Sequence, residues 1–171
     1  MSKSITIKGK HNQDKLLNPN KTHKRDAMTL LNKKWFERSQ QIQLVNSLYL
    51  NTNHDIERIA FDELRKKLRS YKIQDDKKCI YNQNLFVTCQ DVLEKLVMCK
   101  LKCFYCNCNL FFLYEDVRQK DQWTLDRMDN AHGHNNNNIV ISCLDCNLKR
   151  RTMNMNTFKD FRVVSVKKLN S

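Results

Sequence analysis

Residues 123–151 read WTLDRMDNAHGHNNNNIVISCLDCNLKRR, and this stretch decides the fold. WTLD at 123–126 reads as a strand ending on a carboxylate, Asp126. DNAHGHNNNN is a polar loop, and Gly133 within it is expected at a positive-φ turn. NIVIS at 138–142 reads as a second strand, and CLDCNLKRR opens a helix directly after it. Two strands, a loop and a helix are therefore expected where Asp126 and Asn147 converge. In the loop, Asp129 and Asn130 are expected to shape the turn through side-chain-to-backbone bonds.

Moving outward, Cys103-Phe104-Tyr105-Cys106 and Cys143-Leu144-Asp145-Cys146 form two CxxC knuckles separated by 36 residues. Two residues between thiolates let both sulfurs reach one ion from a single tight turn. Four thiolates at ~2.3 Å complete a tetrahedral, closed Zn²⁺ site that does no chemistry of its own. The 36-residue segment must then be a folded insertion whose ends the metal staples, and the ion adds folding free energy. Cys99 and Cys108 flank the first knuckle and could substitute as ligands, while Cys79 and Cys89 read as ordinary buried cysteines.

These motifs resemble the ββα-metal module of HNH endonucleases: Asp-His on the first strand, a Gly-containing loop, an Asn, then CxxC-Asn on the helix. The resemblance covers residues 103–151 and, more loosely, 86–160. It is nearest to the branch reading Asp-Arg-x-Asp-Asn with Gly-His in the loop. It implies an α+β chain with a zinc-stabilised ββα-metal module at its C-terminal end and a mainly helical N-terminal extension. It further implies Asp126 and Asn147 as ligands of a catalytic Mg²⁺ or Mn²⁺, with Asn138 tying the loop to the strand. Lys149, Arg150 and Arg151 would hold backbone phosphates. Arg127 stands where most family members carry the general-base His. Arginine stays protonated, so it can stabilise a phosphate but not deprotonate water. The base would come from the loop, from His134, which follows the Gly, or from His132.

The remainder of the chain reads as helices and basic arms. Met28, Leu31, Trp35, Ile42, Val45 and Tyr49 predict one amphipathic helix over 26–50, with Asp26 or Thr22 as its N-cap. Ile56, Ala60, Leu64, Leu68 and Tyr71 predict a second over 55–72, followed by a polar connector over 73–84. Thr88 and Asp91 predict a capping box that opens a helix over 89–99. LFFLY at 110–114 reads as a short β-like run. The expected organisation is a flexible basic arm at 1–24, a helical extension at 25–85, the module at 86–165 and a basic tail at 166–171.

The formal charge of +13 is unevenly spread. Residues 1–38 carry 10 basic and 3 acidic side chains, residues 147–171 carry 7 and 1, and the middle is near neutral. Basic ends around a neutral site suit a polyanion. With 171 residues the chain needs no disulfides to bury a core. No apolar run approaches the ~18 residues that would span a bilayer. The N-terminus shows no signal-type apolar region, so the eight cysteines point to a reducing compartment, cytoplasm or nucleus, rather than secretion.

The function this predicts is metal-dependent hydrolysis of DNA phosphodiesters, double-stranded DNA being the expected partner. A symmetric double-strand cut would require a homodimer. The alternatives are a non-catalytic zinc-pinned nucleic-acid-binding module, made possible by Arg127, and an RNA endonuclease.

Overall fold

The computed structural model describes residues 23–51 and 55–163, with residues 6, 8, 9, 13, 16 and 17 before them. Most of the arm expected over 1–24 lies outside the described residues, as do Thr22 and the tail at 166–171. The architecture is α+β. Helices α1 (Asp26–Thr29), α2 (Arg38–Leu50), α3 (Asp55–Lys77) and α4 (Cys89–Met98) precede strands β1 (Trp123–Arg127) and β2 (Ile139–Cys143). Helices α5 (Leu144–Arg150) and α6 (Met155–Val163) follow. No helix among the described residues is long and apolar enough to cross a membrane.

The predicted strands form and pair antiparallel, with Trp123 opposite Cys143, Leu125 opposite Ile141 and Arg127 opposite Ile139. Helix α4 begins as predicted. Thr88 accepts from the Asp91 N–H while the Asp91 carboxylate accepts from the Thr88 N–H, so both orphan donors are satisfied.

Three expectations for the helices need correction. The single helix over 26–50 is broken into α1, a 3-10 turn at Lys33–Phe36 and α2. Asn32 breaks it: its side-chain oxygen accepts from the Lys34 N–H, offering the backbone a local partner outside an α-helix. Asp26 is the first residue of α1 rather than its cap, a position taken by Arg25, whose side chain makes no capping bond to the helix. The connector over 73–84 is in its first part helix, because α3 runs on to Lys77 and buries Asp75.

LFFLY is not a strand. Only Phe111 pairs as a strand residue would, bridging to the segment 121–123, and the residues after it find the side chain of Gln41 on α2, fully buried. Gln41 Oε1 accepts from the Phe112 and Leu113 N–H groups at 2.7 and 3.0 Å. Its Nε2 donates to the Leu113 and Trp35 carbonyls. One amide thus supplies bonds a neighbouring strand would have provided. Arg38 acts likewise, donating to the carbonyls of Lys100, Leu101 and Leu110. The two side chains make α2 a support for the segment that carries the first knuckle. A continuous apolar core accordingly runs from Met28 on α1 to Phe158 on α6.

Gly133 does not occupy the positive-φ region; among the described residues the glycine found there is Gly9. Its lack of a side chain serves a close approach instead. A Cβ at 133 would lie 2.7 Å from the Ile80 carbonyl oxygen and 2.8 Å from Asp75 Oδ2. Gly133→Ala is therefore expected to destabilise the fold by about 1–3 kcal/mol, as overpacking does. A lowered urea midpoint at unchanged slope would show it, and an unchanged midpoint would contradict the contact.

Candidate functional site

Both cysteine knuckles reach one cluster, in which the flanking Cys108 joins Cys103, Cys106 and Cys143, while Cys146 of the second knuckle lies beside that group of four. Asn107, at φ 57, turns the chain after Cys106, with its N–H on the Cys103 carbonyl at 2.9 Å. The Cys103 N–H in turn donates to the Cys108 carbonyl at 2.9 Å. In the second knuckle Cys143 caps α5, its sulfur accepting from the Cys146 N–H at 3.3 Å. The Cys143 N–H points at Cys103 Sγ, 3.2 Å away. Cys103, Cys106, Cys108 and Cys143 bring their sulfurs within 4.8 Å of one another. Cys146, fully buried, sits against Cys143 and Cys106.

This cluster could hold a metal ion and is compatible with structural zinc. Cys106 and Cys143 sulfurs stand 3.8 Å apart. That matches the edge of a tetrahedron, about 3.8 Å, whose corners lie ~2.3 Å from a central zinc. Electrostatics agree. The Cys143 thiol, followed by backbone N–H groups, holds Cys103 down to about 4. Its ionisation helps push the others up: Cys108 and Cys146 reach about 12, mainly through burial, and Cys143 rises chiefly through its bond to Cys103. Thiols this crowded cannot all ionise unless a cation sits among them. Of the remaining cysteines, Cys79 is exposed rather than buried, since it follows the end of α3 at φ 55. Cys99 instead points its sulfur at the Leu96 carbonyl, 3.4 Å away.

Beside the cluster, α5 lies on one face of β1. Asn147 Nδ2 donates to Thr124 Oγ1 and to the Leu125 carbonyl, both at 3.1 Å. Its amide nitrogen is spent, and Oδ1 takes no hydrogen bond among the described residues. Thr124 and Asp126 share a strand face, so Asn147 and Asp126 are brought to the same side of the sheet. The Asp126 carboxylate is 6% exposed and already engaged. Arg150 Nη1 reaches Oδ1 at 2.7 Å, and the Tyr105 hydroxyl donates to Oδ2 at 2.6 Å. Burial raises the Asp126 pKa, opposed by Tyr105 and Arg150.

Arg150 is a correction. Expected at a phosphate, it is 1% exposed. Besides Asp126 its guanidinium caps the Arg127 and Met128 carbonyls at 2.6 and 2.9 Å, and its Nε is buried without a partner. A helical residue three positions after Asn147 shares its face, so the packing that docks Asn147 also buries Arg150. Lys149 and Arg151 remain exposed, Lys149 paired with Asp145 at 2.7 Å.

The loop is held from inside. Asn138 accepts from the Asp129 N–H and donates to the Asp129 and Gly133 carbonyls, which ties loop to strand. Asp129 Oδ1 accepts from the Ala131 N–H in a local turn. Arg127 Nη1 donates to the Asn130 and His132 carbonyls at 3.2 Å, so the guanidinium closes the loop it precedes. His132 is exposed, its Nε2 3.8 Å from Asp129 Oδ2.

His134 is buried and gripped by a residue the sequence reading passed over. Asp75, in the last turn of α3, accepts from the His134 backbone N–H at 2.6 Å and bonds Nδ1 at 2.8 Å. The ring packs on Tyr71, centroids 4.5 Å apart. No hydrogen bond joins either imidazole to Asp126 or Asn147 among the described residues. Asp75 left one weak trace in the sequence, as an acidic residue in line with the buried stripe of α3 at Leu64, Leu68 and Tyr71.

Comparison with protein-family models, curated proteins and solved structures finds no match for this chain.

Burial lowers the His134 pKa below 6.5, against the raising pull of Asp75, with Arg127 and Lys78 adding to the lowering. The folded state thus favours the neutral ring, and the unfolded chain binds more protons below that value. Stability present above pH 6.5 should be lost as the pH falls through it. Chemical denaturation from about pH 8 down to about pH 5.5 should show the loss in the wild type and a flatter profile in His134→Gln. Parallel profiles would remove His134 as the source. Arg150→Ala, which strands the buried Asp126 carboxylate, should cost about 3–5 kcal/mol in the same assay.

Proposed function

We propose that this chain is a metal-dependent endonuclease of HNH type, hydrolysing phosphodiester bonds of DNA. The observation that carries the reading is that Asn147 docks on Thr124, whose face of β1 Asp126 shares, with Asn147 Oδ1 taking no hydrogen bond among the described residues. Both residues are linked to the cysteine cluster. Asn147 follows Cys146 directly, and Tyr105, between Cys103 and Cys106, bonds Asp126. Structural zinc would thereby position both oxygen donors.

Asp126 and Asn147 suit a hard cation that keeps waters of its own, which is the habit of Mg²⁺ or Mn²⁺. Two of the roughly four lone-pair sites of the carboxylate are taken by Tyr105 and Arg150. When bound, the cation would polarise the scissile phosphate and relieve the leaving oxygen. His134 has the arrangement of an oriented base, with a carboxylate on Nδ1 that leaves Nε2 to accept a proton. His132 has the exposure. Lys149 and Arg151, with the basic C-terminal segment, would contact backbone phosphates in a salt-sensitive, sequence-blind manner. An RNA substrate remains the variant of this reading in which the nucleic acid differs.

A second reading rests on the Asp126–Arg150 pair. A carboxylate neutralised by a buried guanidinium is a weaker cation ligand, and Arg127 supplies no base. On that reading the module binds nucleic acid without cutting it.

Nicking of supercoiled plasmid separates the two. The wild type should nick with Mg²⁺ or Mn²⁺ and stop when those ions are withdrawn. Asn147→Ala should lose on the order of a hundredfold in rate, as expected for a lost metal ligand, and about 1–2 kcal/mol of stability for the freed Leu125 carbonyl, so rates are compared at a temperature where both proteins are fully folded. His134→Gln and His132→Gln identify the base by which one loses rate. A folded, zinc-loaded wild type that binds DNA and cuts neither DNA nor RNA would establish the binding module instead.

A further inference from the structure

Four thiols gather at one site and a fifth, Cys146, lies beside them. Cys103, Cys106 and Cys143 are common to any ligand set, since each lies within 4.8 Å of the others. Two cysteines compete for the remaining corner. Cys108 is within the same 4.8 Å group. Cys146 completes the CxxC pair with Cys143, is fully buried, and lies against the Cys143 and Cys106 thiols.

We propose that the fourth ligand position is shared: either Cys108 or Cys146 closes the tetrahedron around a single ion, and the other stays beside it unbound. The inference rests on the zinc reading above and adds to it a redundancy in the ligand set.

Three features support it. Zinc with thiolate ligands is four-coordinate, so one of the five sulfurs is left over. Four thiolates already outweigh the charge of the ion, and a fifth would add repulsion with no bond in return. Finally, each competitor is placed by backbone that does not depend on the metal. Cys108 is set by the turn at Asn107 and by the bond from the Cys103 N–H to its carbonyl. Cys146 is set by the first turn of α5, where its N–H caps onto Cys143. Arg162 on α6 reaches toward Cys106 and Cys146 and toward Asp145, 3.9 Å away, which places a compensating cation on that side of the cluster.

The test uses the full chain loaded with zinc and, separately, with Co²⁺, whose thiolate charge-transfer band scales with the number of bound sulfurs. Wild type, Cys108→Ser and Cys146→Ser should each hold a single ion and show the same band intensity. The double variant Cys108→Ser/Cys146→Ser should lose about one quarter of the intensity, one ligand of four, and release zinc to a chelator more readily. A loss of about one quarter in either single variant would overturn the proposal by showing a dedicated ligand. A double variant with the wild-type band would also overturn it, since neither cysteine would then be bound. A wild-type chain that takes up no metal would instead sink the zinc reading itself, a result the first lane of the same experiment distinguishes.

Discussion

A two-stranded sheet leaves each strand with one open edge, and the outer edge of β1 is the constraint around which the molecule is arranged. Its backbone groups cannot be left bare inside a core. The Trp123 N–H goes to the Phe111 carbonyl and the Trp123 carbonyl accepts from Lys67. The Leu125 N–H donates to the Tyr71 hydroxyl, and the Leu125 carbonyl accepts from Asn147. Arg150 closes the series on the Arg127 carbonyl. Residues from α3, the 110–114 segment and α5 thus replace a third strand. The N-terminal helices are part of the same core for this reason, and the edge makes Asn147 and Arg150 structural whatever else they do.

The same arrangement explains how a cysteine cluster can bear on residues it never touches. One knuckle carries Tyr105 to Asp126, and the other ends on Cys146, next to Asn147. The cluster gathers thiols that cannot all ionise without a cation among them, and an ion there would hold both knuckles in place. The Asp126–Arg150 pair sits between these two connections. Removing either partner leaves a buried charge, while the pair itself neutralises the carboxylate. Tension between a stable face and an available ligand is thus built into β1.

The parts legible in the sequence are those whose cause is local. The two strands follow from short apolar runs between polar turns, and the start of α4 from a Thr and an Asp three residues apart. The knuckles follow from CxxC spacing. Where a distant side chain supplies the deciding bond, local pattern misleads. LFFLY has strand composition, yet Gln41 on α2 takes its backbone. Gly133 has the look of a turn glycine, yet Asp75 and the Ile80 carbonyl crowd it. Arg150 stands in a basic run that reads as a phosphate contact, yet it lies on the buried side of α5.

The sequence by itself determined the strand–loop–strand–helix order and the clustering of cysteines at its ends, because spacing along the chain sets these. Only the tertiary structure decided that Asp75 grips His134, that Arg150 neutralises Asp126 and that, of the two cysteines flanking the first knuckle, Cys108 and not Cys99 enters the thiol cluster. Each of those is a contact between segments whose separation carries no periodic or motif signal; the physical reason is that a buried charge or an unpaired backbone group accepts whichever partner the packing delivers.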